Sequence, residues 1–221
     1  LQKIITFKIV IFAFEILITP LTMNDTFKTI KELSKAIFTE QKSKFISYAI
    51  PIQSVDDVKS ELEKYKKEYY DSRHICWAYV LGADRSEFRS NDDGEPSGTA
   101  GKPILGQINS NELTDILVLV VRYFGGIKLG TSGLITSYRS AAAEAIEGAE
   151  IVTKTVDCSI SFSFEYPFMN DVMKIVKDME ATILNQSYDM DCYMTLQIRQ
   201  AQFDLLKNRL SKVESLNFPE I

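Results

Sequence analysis

The chain has 221 residues, 45% hydrophobic and 25% charged, with a formal net charge of −5. This is the balance of an ordinary folded protein of one large or two small domains; it excludes the bulk basic field of a general nucleic-acid binder and leaves room only for a local basic patch. Three widely spaced cysteines (Cys76, Cys158, Cys192) and a single histidine (His74) argue against a disulfide framework, a zinc site and most His-rich metal centres, and point to a reducing compartment.

Residues 1–22 carry a short apolar run, Ile9–Phe14, interrupted by Glu15 and closed by Pro20. The run is too short for a membrane span and lacks a small-x-small cleavage site. It is expected to be an upstream extension, with Met23 as the natural start. Lys28 to Ser34 shows little pattern, whereas Lys44–Ile50 reads as a strand ended by Pro51. Ser54 is placed to cap a helix, with Asp56 and Asp57 in its positively polarised first turn. Val55, Val58, Leu62, Tyr65 and Tyr69 mark that helix's inner face.

Ile75 to Leu81 is apolar on both faces, as a central strand covered on both sides would be. Glu87–Ser90 is its expected partner. Asn91 to Pro103 is dense in turn residues and ends at a helix start, with Ile104, Leu105 and Ile108 on the buried side. Leu113 to Val121 reads as a second central strand. A glycine loop, Arg122 to Gly130, follows it, and then a helix capped by Thr131 or Ser132. Leu134, Tyr138, Ala141, Ala142 and Ala145 share that helix's face, and Gly148 stops it.

After Glu150 the pattern restarts as β-α-β-β-α. Thr155–Glu165 is a strand, and a helix carries Met169, Val172, Met173, Val176 and Met179. Thr182–Tyr188 and Asp191–Arg199 are two strands joined through Asp189-Met190, and a last helix follows with Phe203, Leu206, Leu210 and Val213. Most of a split βαβ unit is present, and Ser215–Ile221 would be its short final strand.

The chemistry on offer centres on the glycine loop. Strand, glycine turn and helix together present main-chain N–H groups and a helix N-terminus, which suit an anion. Arg122 and Lys128 flank the loop; the plainer reading is that Gly125 and Gly126 only permit a tight turn. Ser97, Thr99 and Lys102 offer hydroxyls and a charge from the long loop facing it. Arg73 and His74 stand at the mouth of a central strand. His74 is either a phosphate contact or a polar residue satisfied by a neighbouring loop. Tyr123 or Phe124 would stack on a base or complete a sheet edge. Asp92 and Glu95 are candidates for Mg²⁺, and equally they are what turns are made from. No Ser/His/Asp or Cys/His constellation is present, so no catalytic residue is assigned.

Two dense motifs carry a resemblance. Gly94-Glu95-Pro96-Ser97-Gly98-Thr99-Ala100-Gly101-x-Pro103, then Val121-Arg122-Tyr123-Phe124-Gly125-Gly126-x-x-Leu129-Gly130, resemble the IMPACT/YigZ family, as does Arg73-His74-x-Cys76-x-Ala78-Tyr79. The resemblance implies an α+β protein in two domains. Residues 23–150 would be similar to ribosomal protein S5 domain 2. Residues 151–221 would be ferredoxin-like, similar to the last domain of elongation factor G.

It implies a cytoplasmic, non-enzymatic, translation-linked protein that binds the ribosome, RNA or a translation-associated partner, with no cofactor and no membrane. Eukaryotic members restrain a stress kinase that controls translation initiation, but they carry an RWD domain absent from these residues, so kinase control is not carried over. Arg73, His74, Ser97, Thr99, Lys102, Arg122, Tyr123, Gly125, Gly126 and Lys128 are the expected phosphate or nucleic-acid contacts. Two alternatives stand beside this: a small-molecule phosphotransferase of GHMP-kinase-like fold, and a protein-docking adaptor using the charged helix at 54–67. Oligomeric state is not readable.

Overall fold

A computed structural model describes residues 25–188 and 191–219. The expectations for residues 1–22 and for the Asp189-Met190 connection lie outside these. The described residues divide into two compact units, one spanning Thr26–Lys154 and one made of Asp25 with the chain from Thr155 onward.

The first unit is built on a five-stranded antiparallel sheet of order β2-β3-β6-β4-β5, comprising Ser34–Glu40 (β2), Ser43–Pro51 (β3), His74–Leu81 (β4), Glu87–Asn91 (β5) and Ile116–Tyr123 (β6). A separate ribbon pairs Thr26–Ile30 (β1) with Ile151–Thr155 (β7). Helices cover both faces of the large sheet, which is why β6 is apolar without alternation. On one face Val55–Glu68 (α1) sets Val58 and Tyr65 against Ile46, Tyr48, Leu117, Leu119 and Val121. On the other, Gly101–Ser110 (α2) and Gly130–Glu147 (α3) set Ile104, Ile108, Leu134 and Tyr138 against Phe45, Cys76, Val118 and Val120. Each such large side chain, fully buried, contributes about 1.5–3 kcal/mol.

Local signals explain most boundaries. Ser54 Oγ accepts from the Asp57 amide while Asp57 accepts from the Ser54 amide, so α1 begins in a reciprocal capping box. Alanines 141, 142 and 145 let α3 lie close on the sheet. Gly148 follows α3 as expected, but its φ of −75° is not left-handed. Glycine is needed there because a Cβ would lie 2.8 Å from Ser34 Oγ.

Three readings of the sequence are corrected. Lys28 to Ser34, read as nearly patternless, holds the end of β1 and the start of β2; β2 is an edge strand whose exposed Ile37 breaks the apolar alternation. No side chain caps α3, because Leu129, which has no oxygen to offer, occupies the cap position. Thr155–Glu165 is not one strand, since the chain breaks at Val156 between β7 and Asp157–Phe164 (β8).

The second unit has a three-stranded antiparallel sheet of order β8-β10-β9, with Thr182–Tyr188 (β9) and Cys192–Arg199 (β10). β8 and β9 flank β10 and run parallel to each other, joined through Met169–Asp178 (α4). This α4 and Phe203–Leu210 (α5) bury Val172, Val176, Leu206 and Leu210 against Phe162, Phe164, Met194 and Leu196. Among the described residues of the expected final strand, only Asn217 pairs, with Ser163 at the β8 edge. Asp25 accepts both Nε (2.6 Å) and Nη2 (2.7 Å) of Arg199 and the Ala201 amide.

Candidate functional site

Strand register brings three separated segments together. β4 pairs with β6 so that His74 lies opposite Arg122, and the turn after β5 closes over them. Between them is a cleft of about 380 Å³ walled by Arg73, His74, Glu95, Pro96, Arg122, Phe124 and the stretch from Lys128 to Thr131, with Leu134 at its base. The cleft opens at the N-terminus of α3. Neither an acidic residue in the first turn nor a side-chain cap answers the positive end of this 18-residue helix.

Arg122 is only 7% exposed. Its Nη1 donates to Glu95 Oε1 at 2.6 Å, and its guanidinium lies 5.6 Å from the Phe45 ring and 5.7 Å from that of Phe124. Tyr138 also donates to Glu95 Oε1, at 2.9 Å, and the Cys76 thiol is 3.3 Å from the Tyr138 oxygen. Burial pushes the Cys76 thiol well above its ordinary value, so it is held as a neutral thiol. Arg122 is therefore the centre of a buried polar network, and Glu95 balances its charge. No ion pair is formed by Arg73 or Lys128 among the described residues, and both are exposed. His74 Nδ1 donates to the Asp93 carbonyl at 2.7 Å.

The other glycine-bearing turn is organised differently. Asp92 accepts the amides of Gly98 (2.8 Å), Ala100 (3.0 Å) and Gly101 (2.8 Å), so the N-terminus of α2 is already filled by the chain's own carboxylate. Burial pushes the Asp92 carboxyl up, but the three amides and the Lys102 charge outweigh it and hold the pKa below the usual value. Such a group contributes stability in full above its unfolded pKa of about 4, and loses it as pH falls through the lowered folded value. Asp92→Asn is expected to cost about 1–2 kcal/mol at pH 7. In urea titrations the gap between parent and variant should close on acidification; a gap independent of pH would show that the charge is not the cause.

Residues 41–146 match the family model described as the Impact N-terminal domain. An IMPACT family member of Haemophilus influenzae is 32% identical over 186 residues, covering 82% of this chain and 90% of that protein. The chain belongs to the IMPACT family. IMPACT family member YigZ of Escherichia coli is 35% identical, covering 67% of this chain and 74% of its own length. A crystal structure titled as that of a hypothetical protein has a TM-score of 0.69 and 28% identity, over 90% of this chain and 98% of its own.

Within this IMPACT-family chain, the residues singled out from the sequence fall into two sets. Arg73, His74, Arg122 and Lys128 share the cleft; Ser97, Thr99, Lys102, Tyr123, Gly125 and Gly126 are not in its wall. Thr99 is buried and donates to the Pro96 carbonyl. Tyr123 packs with the opposite face of the sheet and donates to Asp71, whose bond pushes the phenol up to about 12. Gly125 is a contact point within the fold: a Cβ there would lie 2.0 Å from the Lys42 carbonyl carbon.

The Mg²⁺ candidates are engaged elsewhere, Asp92 with α2 and Glu95 with Arg122. Among the described residues no group of three or more His, Cys, Asp or Glu is placed to hold a metal. No described helix is long and apolar enough to cross a membrane. Sequence reasoning missed Tyr138 and Leu134 as parts of the site's support. A bulky tyrosine facing inward among alanines was the available signal.

Proposed function

We propose that this IMPACT-family protein is a non-enzymatic, translation-linked binding protein whose first unit holds RNA phosphate in the cleft at the α3 N-terminus. The observation that carries it is the meeting of two exposed, unpaired cations, Arg73 and Lys128, with an uncapped helix end. Such a site supplies the local basic patch that the overall charge of −5 does not. Among the described residues Glu95 is the only carboxylate in the wall, and Arg122 and Tyr138 hold it, which favours binding over acid–base chemistry.

The S5 domain 2-like and ferredoxin-like assignments belong to the same reading. The split βαβ arrangement of β8, α4 and β9, with Asn217 beside β8, supports the second of them. The phosphotransferase alternative loses its support, because the Ser97–Thr99 turn is closed on Asp92 and Pro96. A cytoplasmic location fits three free thiols.

The test is RNA binding across a salt series. Arg122 is unsuitable for substitution because its loss would strand Glu95, so Arg73→Ala with Lys128→Ala is used. Affinity should fall about tenfold or more, and the slope against log salt should shrink by about two. Unchanged affinity and slope would place the RNA surface elsewhere. Co-sedimentation with ribosomes, with and without nuclease, separates RNA contact from protein docking.

A further inference from the structure

The two helix ends beside the glycine turns differ in a way that bears on the ligand. That of α2 is closed by Asp92, and that of α3 is open. Arg122, 7% exposed, also lines the cleft; it engages Glu95 through Nη1, and among the described residues its buried Nε has no hydrogen-bond partner.

From this we propose that the cleft takes a phosphate monoester carried on a flat ring, either a free mononucleotide or the phosphorylated end of an RNA, in preference to an internal phosphodiester. The proposal rests on the phosphate reading above and narrows it.

Charge is the first reason. Arg73 and Lys128 are unpaired, and the end of α3 adds roughly half a charge. That sum matches the charge of about −1.5 to −2 on a monoester at neutral pH better than the single charge of a diester. Shape is the second. A volume of about 380 Å³ is at the small end of ligand cavities, which run to roughly 300–1,000 Å³, and it suits one nucleotide rather than a run of them. The walls are the third. Pro96, Leu129 and Leu134 are apolar, and the half-exposed Phe124 ring is backed by the Arg122 guanidinium, leaving a surface on which a base can stack. The chain's net charge of −5 disfavours a longer polyanion.

The full chain is titrated with adenosine 5′-monophosphate, adenosine, inorganic phosphate, and one RNA hexamer prepared with a 5′-phosphate or a 5′-hydroxyl. The monophosphate should bind at least tenfold more tightly than adenosine or phosphate alone. The 5′-phosphorylated hexamer should bind at least tenfold more tightly than its hydroxyl twin. Thr131→Asp puts a carboxylate in the first turn of α3, where it favours the helix, so it should abolish binding without lowering the melting temperature.

Equal binding of the two hexamers would overturn the monoester proposal and leave RNA binding intact. Monophosphate binding with neither hexamer bound would support the monoester proposal and remove RNA as the ligand. Phosphate binding as tightly as the monophosphate would overturn the ring. Silence across the panel, or binding indifferent to Thr131→Asp, would overturn the assignment of this cleft.

Discussion

Glu95→Gln is expected to destabilise the first unit by about 3–5 kcal/mol, a large fraction of the stability of a domain this size. The substitution is nearly isosteric, so packing is kept and only the charge is lost. What remains is a guanidinium between Phe45 and Phe124 with no counter-ion. An exposed pair would cost no more than about 1 kcal/mol, and burial decides the difference. Adding Arg122→Met should recover much of the loss, because removing both charges also removes the cost of keeping them dry. Urea unfolding followed through Trp77, the single tryptophan, measures both variants. A loss below about 1 kcal/mol, or no recovery in the double variant, would mean that water reaches the pair.

The second large effect is expected at Gly125. Gln41 and Lys42 form a two-residue turn between β2 and β3, both at positive φ (44° and 64°), and Gly125 packs directly on the Lys42 backbone. A methyl group at 125 would lie 2.2 Å from the Lys42 carbonyl oxygen and 2.4 Å from the Ser43 nitrogen. These are backbone atoms in a hydrogen-bonded hairpin, so neither side can yield cheaply. Gly125→Ala should cost about 3 kcal/mol, at the upper end of overpacking effects. Gly126→Ala is the control: its surroundings are open, and only its φ of +88° resists, at about 1–2 kcal/mol. The 125 variant should also weaken RNA binding by displacing Phe124 and Lys128. If the two variants melted together, the close approach would not be limiting.

These cases show where the residues spoke for themselves. The apolar run of β6 announced a doubly covered strand, and Ser54 with Asp57 announced a helix start, because both signals act within a few residues. The cleft was legible in Arg73, His74, Arg122 and Lys128, and in Phe124, named as a stacking candidate. Their partners were not, since the pairing of Glu95 with Arg122 spans 27 positions and depends on the β4–β6 register. The role of Asp92 is set within its own loop: it looked like a turn residue or metal ligand and is the cap of α2, accepting the amides of Gly98, Ala100 and Gly101. The glycine loop offered two meanings, anion cradle or tight turn. Gly125 serves the turn, and the helix end beyond it carries no side-chain cap. Edge strand β2 escaped notice because an edge needs little apolar patterning.

The division of labour among the arginines and lysine has an evolutionary consequence. Arg122 is locked into the interior, so its replacement endangers folding, whereas Arg73 and Lys128 stand free at the rim. On the proposed reading of the cleft, selection can therefore exchange the rim residues one at a time, retuning the ligand, while the scaffold beneath them stays intact.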